Sequence, residues 1–467
     1  MANRTSGGGK AHVTGGAGAN GAGRANGANG ATSRPLERPV AIVGARLIDG
    51  TGGEPIEDGT LLIEGERITA IGRRDQVRVP RDAAVIDGAG TSVLPGLIDC
   101  HVHLASPWGF NLLLRLQTPP ALNLLYAVPN CAATLDGGVT TARDAGGTPA
   151  GVRMAIQRGF FTGPRLLVAV TILTQTGGHG DAMMPCCVDL GAPIGASGGD
   201  VPRGVVDGTD EMRRATREIL RAGADWIKLC TSGGVLSPGD SPRSAQFTVD
   251  EIAVAVYEAA AQGKRCMAHA QSTEGIKNAI RAGVATIEHG IWLDDEAIQM
   301  MLDRGVYLVP TLVAPEDVIR IAEAKPDLMP PYAVQKSREV IADHRASFRR
   351  AAEAGVKIAM GTDSGVGPHG ENAREVVLMA RNGLSPMASI VASTRTAAEM
   401  LHLDGDLGTL AAGKLADVLV VDGDPLAEID VLADAARRAL VLKGGAPVVG
   451  RLAAELAGAS ERVKAKA

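Results

Sequence analysis

From residue 39 onward, apolar and polar positions alternate in short runs: VAIVGARLIDG (40–50), GTLLIEGERITAIG (59–72) and AAVIDGAGTSVLPG (83–96), each closed by Gly or Asp-Gly. A period of two with glycine punctuation predicts antiparallel strands joined by turns. The texture returns in GDLGTLAAGKLADVLVVDGDPL (405–426) and ALVLKGGAPVV (439–449). Residues 38–93 and 403–455 are therefore expected to form one small β-sandwich domain, split by a large insertion.

Inside the insertion the period changes. Eight apolar runs, LPGLIDCHV, GVTTARDAG, RLLVAVTI, DWIKLC, RCMAHA, ATIEHG, VYLVP and KIAMGTD, alternate with helical patterns such as GTDEMRRATREILRAGA and SREVIADHRASFRRAAEAG. Strand and helix in alternation signal a parallel sheet. Eight such units predict an α/β fold, a (β/α)8 TIM-like barrel over residues 94–402, with its chemistry at the C-terminal strand ends. Residues 1–37, rich in Gly, Ala and Asn, and residues 456–467 read as disordered tails.

Composition narrows the function. The 467 residues are 45% apolar and 21% charged with a net charge of -5, so neither nucleic acid nor an anionic membrane is an expected partner. Aromatics at 3% argue against base-stacking platforms. The longest apolar runs suit a buried strand, and the N-terminus lacks the apolar stretch of a secretory signal. Six cysteines, Cys100, Cys131, Cys186, Cys187, Cys230 and Cys266, make no CxxC pair and read as buried thiols in a reducing cytoplasm.

The chemistry concentrates at the predicted strand ends. In LPGLIDCHVHLAS (94–106), His101 and His103 share a face if the run is extended, which lets them pinch a cation; alone, such a pair is equally two ordinary polar positions on a strand. Lys228, His269, His289 and Asp363 occupy the ends of four further strands, and four of the nine histidines fall at such ends. Several imidazoles and a carboxylate on one rim make the ligand set of a hydrolytic divalent-metal site. An ammonium aimed at such a site should be deprotonated or modified, for example carboxylated by carbon dioxide; a rim lysine pairing with an acid is the plainer alternative.

PGLIDCHVH, IKLCTSGGVLSPGDSP, AHAQS, IEHG, GTDSG and LGTLAAGKLADVLVVDGDPL, in this order, make the sequence similar to the amidohydrolase superfamily, in its binuclear-metal branch with a carboxylated lysine. Through SGGVLSPGDSP, TGGHGD and HGEN it resembles the group of imidazolonepropionase-related hydrolases that holds Xaa-Pro dipeptidases and ochratoxin amidohydrolases. The resemblance implies two divalent ions per chain, of the zinc type. His101, His103 and Asp363 would bind the buried ion, His269 and His289 the exposed one, and a carbon-dioxide-derived carbamate on Lys228 would bridge them. It further implies attack by a hydroxide between the metals, with Asp363 shuttling the proton.

His179, in TQTGGHGD, is a second catalytic candidate for the developing oxyanion, or a residue that orders its loop. His369 and Asn372 are candidate substrate residues or loop-ordering ones, and Trp108 with Phe110 suggests an apolar pocket wall. Arg143 and Asp144 are expected to form a structural ion pair beneath the site or to contact the substrate, and His402 to be structural. The expected activity is hydrolysis of a carboxamide bond in an N-acyl amino acid or dipeptide-like substrate with an apolar group. A carbamate or phenylurea is the alternative substrate. A non-catalytic scaffold would show substitutions among the six ligands, and none is present. The expected setting is a cytoplasmic homo-oligomer acting on a small-molecule amide.

Overall fold

Strand register begins as the alternation predicts. In the computed structural model, which describes residues 35–183, 186–189, 200–453 and 456, the first strands are β1 (Val40–Leu47), β2 (Ile56–Glu64), β3 (Arg67–Arg73), β4 (Ala84–Asp87) and β5 (Thr91–Pro95). The expected tails lie outside the described residues except for 35–37 and 456. Six strands follow in the insertion's first half: β6 (Leu97–Val102), β7 (Val139–Asp144), β8 (Arg165–Val168), β9 (Ile172–Leu173), β10 (Trp226–Cys230) and β11 (Arg265–Ala270). The remainder are β12 (Thr286–His289), β13 (Tyr307–Val309), β14 (Val418–Asp422), β15 (Arg438–Lys443) and β16 (Ala446–Val449).

The two ends of the chain do meet in one sheet. Its order is β16-β15-β14-β5-β1-β2-β3, with β4 also on β1. Seven strands make one hydrogen-bonded path, and β4 is the eighth strand, paired to β1 off that path. The first half of β1 pairs with β4 and its last two residues with β5, so one long strand serves two partners. Leu61, Ile63, Val93, Val418 and Leu440 bury one apolar cluster on this sheet.

The insertion carries two parallel sheets, β6-β7-β8 and β9-β10-β11-β12-β13. Strands β6 and β7 are buried at every position, as strands covered on both faces must be. Two expected runs are each divided. LPGLIDCHV breaks at Gly96, where a Cβ would lie 2.4 Å from Thr140 Oγ1; Leu94 and Pro95 stay with the antiparallel sheet and Leu97 enters the parallel one. RLLVAVTI breaks around Val170, whose φ of 64° turns the chain between β8 and β9.

The eighth expected run is not a laddered strand. Residues 357–364 instead form isolated bridges, Ile358 to Leu308 beside β13 and Ser364 to Val102 on β6. Backbone bonds join Ala359 N to Leu308 O at 2.9 Å, Cys100 N to Met360 O at 2.9 Å and Asp363 N to His101 O at 2.7 Å. Helices fall where the 3.6-residue period placed them, among them Gly208–Arg221, Val249–Ala260 behind a Thr248–Glu251 capping box, and Pro331–Ala354. Among the described residues no helix is long and apolar enough to cross a membrane. Four cysteines are buried as expected, but Cys186 and Cys187 are exposed, because they sit in the segment after β9 outside any strand.

Gly361 lets residues 357–364 nest between two neighbours. A Cβ there would lie 2.3 Å from Val309 Cγ1 and 2.9 Å from His101 Cβ. Gly361→Ala is expected to cost about 1–3 kcal/mol by overpacking, read as a lower urea midpoint. An unchanged midpoint would show slack between β13 and β6.

Candidate metal centre

The side chains of the predicted cluster come from the C-terminal parts of β6, β11 and β12, from Lys228 in the middle of β10, and from Asp363 in the bridged run 357–364. His101 lies in β6 and His103 just beyond it, with ring centroids 5.5 Å apart, as alternation on an extended run requires. His101 is 5.2 Å from the His289 ring, and His289 is 4.5 Å from His269. His289, Thr311 and Asp363 all take positive φ, 72°, 51° and 60°. Left-handed backbone at non-glycine residues costs energy and collects at functional sites. Here it occurs at three successive strand ends on one cavity.

Asp363 Oδ1 lies 3.1 Å from His103 Nε2 and 3.4 Å from His101 Nε2, and Lys228 Nζ is 3.3 Å from the same His101 atom. One donor atom each from His101, His289 and Asp363 falls within 4.8 Å of the others. All four imidazoles have one nitrogen already engaged. His101 Nδ1 meets Glu288 Oε2 at 2.6 Å and His103 Nδ1 meets Gly146 O at 2.8 Å. His289 Nδ1 meets Thr311 Oγ1 at 2.7 Å, and His269 Nε2 meets Gly233 O at 3.1 Å. Where the engaged nitrogen donates to a carboxylate or carbonyl, as in His101 and His269, the other keeps its lone pair, the arrangement that metal-binding histidines use, while His103 Nε2 is shared with Asp363.

Electrostatics act in the same direction. Burial holds His101, His269 and His289 well below the usual imidazole range, so these rings are neutral donors. Burial also pulls His103 down, but the hydrogen bond and charge of Asp363, with Asp144, raise it above its ordinary value. Asp363 is pushed up by burial and down more strongly by His101, His103 and Lys228, which hold its carboxyl well below the usual range. Burial lowers Lys228 against the opposing charges of Glu288 and Asp363. The donors thus fit a divalent cation in kind, protonation state and convergence.

His179 joins them, stacked on His269 at 4.1 Å and lining the cavity. Its Nδ1 is 2.7 Å from Ser237 Oγ, and Ser237 donates its hydroxyl proton to Asp240. Nδ1 must therefore donate, and Nε2 is the atom left for a ligand. Lys336 anchors the loop by donating to the carbonyls of Gly234, Ser237 and Asp240 at 3.0, 2.7 and 2.7 Å.

Other expectations are corrected. His369 is buried with Nδ1 3.5 Å from Thr134 and Nε2 without a hydrogen-bond partner among the described residues, and Asn372 donates to Asp99 at 2.7 Å; neither lines the cavity. Trp108 and Phe110 pack against the apolar cluster of Val318, Met329 and Val366, behind the wall and not on it. Arg143 and Asp144 do not pair, since adjacent strand residues face opposite ways. Arg143 turns to Glu288 at 2.8 Å and Cys100 O at 2.6 Å, and Asp144 accepts from Leu104 N at 2.7 Å and from Thr148. His402 is structural, a left-handed helix C-cap bonded to Arg265 at 2.7 Å.

Two functional neighbours escaped the sequence reading. Glu288, fully buried beside His289, ties His101 to Arg143; its signal was a carboxylate in an otherwise apolar strand run. His344 lies on helix Pro331–Ala354 in the buried stripe with Val340, Ser347, Phe348 and Ala351, and donates from Nε2 to His289 O at 3.0 Å and Pro310 O at 2.7 Å. Helical position, not a strand end, hid it.

Comparison with known proteins agrees in kind. A profile of the amidohydrolase family matches residues 92–448. Ochratoxinase from Aspergillus niger is 33% identical over 421 residues, 88% of this chain and 86% of that protein. A Xaa-Pro dipeptidase with methionine bound in its active site is 33% identical with a TM-score of 0.78, covering 88% of this chain and 99% of that one. A prolidase complexed with N-methylphosphonate-L-proline is 37% identical with a TM-score of 0.79, covering 88% and 100%.

The Arg143–Glu288 pair, with both side chains fully buried, generates a stability prediction. Removing either partner, as Arg143→Met or Glu288→Leu, is expected to cost about 3–5 kcal/mol by stranding a buried charge. The double variant should cost less than the sum. Additive losses in urea unfolding would show that the pair is not coupled.

Proposed function

This chain belongs to the amidohydrolase family and is a hydrolase, and on that premise we propose that its strand-end cluster holds two divalent ions and hydrolyses a carboxamide C–N bond. His101, His103 and Asp363 would hold the inner ion, His269 and His289 the outer one, with Lys228 between them as a carbamate. Zinc suits the imidazole-rich donor set. The observation that carries this reading is the convergence of His101, His289 and Asp363, one donor atom of each within 4.8 Å of the others, with His103 and Lys228 in contact with the same group and His269 4.5 Å from the His289 ring. Lys228 supports it too: burial disfavours its ammonium, and the free amine is the form that adds carbon dioxide.

Bound cations would supply Lewis acidity, lowering the pKa of an attacking water and polarising the scissile carbonyl. The chain's own groups do the rest. Asp363, held ionised at the cluster, accepts a proton at its carboxylate and returns it to the leaving nitrogen. His179 lines the cavity with Nε2 turned to the substrate; burial pulls its imidazole down to about 4 against the opposing charge of Asp240 3.8 Å from Nδ1, so the neutral ring accepts a hydrogen bond there. Val235, Ile291, Val318, Val340 and Val366 line the cavity and shed water from the reacting groups.

That apolar wall, with an ochratoxinase and a Xaa-Pro dipeptidase among the relatives, supports an N-acyl amino acid or dipeptide-like substrate bearing an apolar group. We further read the parallel strands and residues 357–364 as one (β/α)8 barrel spanning 94–402, with 38–93 and 403–455 as the second domain.

The purified protein is expected to carry about two divalent ions per chain by elemental analysis. Lys228→Ala should lower that content, and Asp363→Asn should keep much of the metal while losing most turnover. Full activity after chelation would end the metal reading. A screen of N-acyl amino acids, dipeptides, aryl carbamates and phenylureas, read by released amine, should favour the carboxamides. Turnover confined to carbamates or ureas would overturn the carboxamide assignment alone.

A further inference from the structure

Among the described residues, two polar atoms on the cavity wall have no hydrogen-bond partner: His344 Nδ1 and Gln271 Oε1. Neither is a surface group, since His344 is 2% exposed and Gln271 5%. His344 Nε2 points at two carbonyl oxygens and so carries the ring proton, leaving a lone pair on Nδ1. Gln271 Oε1 is likewise an acceptor. Buried acceptors are normally satisfied, and a ligand is the remaining source of donors when the protein provides none.

The surroundings select the ligand. No Lys or Arg lines this cavity among the described residues, and its other walls include Val235, Ile291, Val318 and Val340. Neither acceptor can bind a carboxylate oxygen, whereas an amino group, a donor at each N–H, suits both. Aliphatic walls in turn suit an aliphatic side chain beside it.

We infer that His344 and Gln271 form an acceptor station for an amino group beside an apolar side chain, so that the acyl half of the substrate is an apolar aminoacyl group. This rests on the carboxamide reading and sharpens it: a dipeptide with a free, apolar N-terminal residue is preferred over a simple N-acyl amino acid. The two are positioning residues for that amine, and His344 additionally steadies the ends of β12 and β13 through its carbonyl bonds.

The test uses the full, metal-loaded chain and two non-hydrolysable probes, L-leucinol and 4-methylpentan-1-ol, which differ in the amino group. Calorimetry should give leucinol about tenfold tighter binding, the factor one hydrogen bond supplies. In His344→Gln, which keeps an N–H toward the two carbonyls but moves the acceptor, and in Gln271→Leu, the ratio should fall toward one. Gln271→Leu keeps the test decisive if the His344 variant misfolds. A ratio near one in the unaltered protein, binding of neither probe, or a ratio that survives both substitutions overturns the station. Discrimination between the probes without turnover of any carboxamide would instead sink the hydrolysis assignment and leave the station standing.

Discussion

The site depends on one buried chain of contacts, Arg143 to Glu288 to His101. All three side chains are essentially inaccessible. Glu288 spends one oxygen on Arg143 and Thr286 and the other on His101 Nδ1. A carboxylate in this environment persists only when paired and fully hydrogen-bonded. The same pairing sets which His101 nitrogen carries the proton and thus which one faces Asp363 and Lys228. Stability and chemistry are here one interaction.

Around that chain the cluster is a balance of opposed terms. Burial disfavours charge on every member, and mutual charge restores it selectively, to Asp363 and His103 and not to His101, His269 or His289. The result is an anionic carboxylate paired with His103 and set beside three neutral imidazoles, which suits cations better than a uniformly neutral pocket would. Backbone strain has the same logic. Positive φ at His289, Thr311 and Asp363 is tolerated because each neighbouring strand is pinned from both sides, by β11 and β13 or by the bonds from 357–364 to β6.

The loop from Gly233 to Asp240 extends this arrangement outward. Its carbonyls are gathered by Lys336, and its Ser237 and Asp240 orient His179 above His269. Helix Pro331–Ala354 therefore contributes twice, through Lys336 to the His179 side and through His344 to the His289 side. A single long helix spans both shoulders of the cavity.

The sequence by itself determined most element types and the six positions that the fold brings together, but not the breaks within two runs or the bridged state of residues 357–364. Period-two runs marked the antiparallel strands, 3.6-residue patterns marked the helices, and His101, His103, Lys228, His269, His289 and Asp363 were legible because strand ends are local features that alternation locates. What only the tertiary structure decided involves partners distant along the chain. Glu288 meets His101 across 187 residues, and His344 reaches His289 across 55, so no local period could report them. The same holds for errors: Arg143 and Asp144 are neighbours in sequence yet face opposite sides of a strand, and His369 and Asn372 are loop residues set beside Thr134 and Asp99. Local periodicity fixes where a side chain starts and which way it leaves the backbone; what it meets there depends on how the strands are assembled.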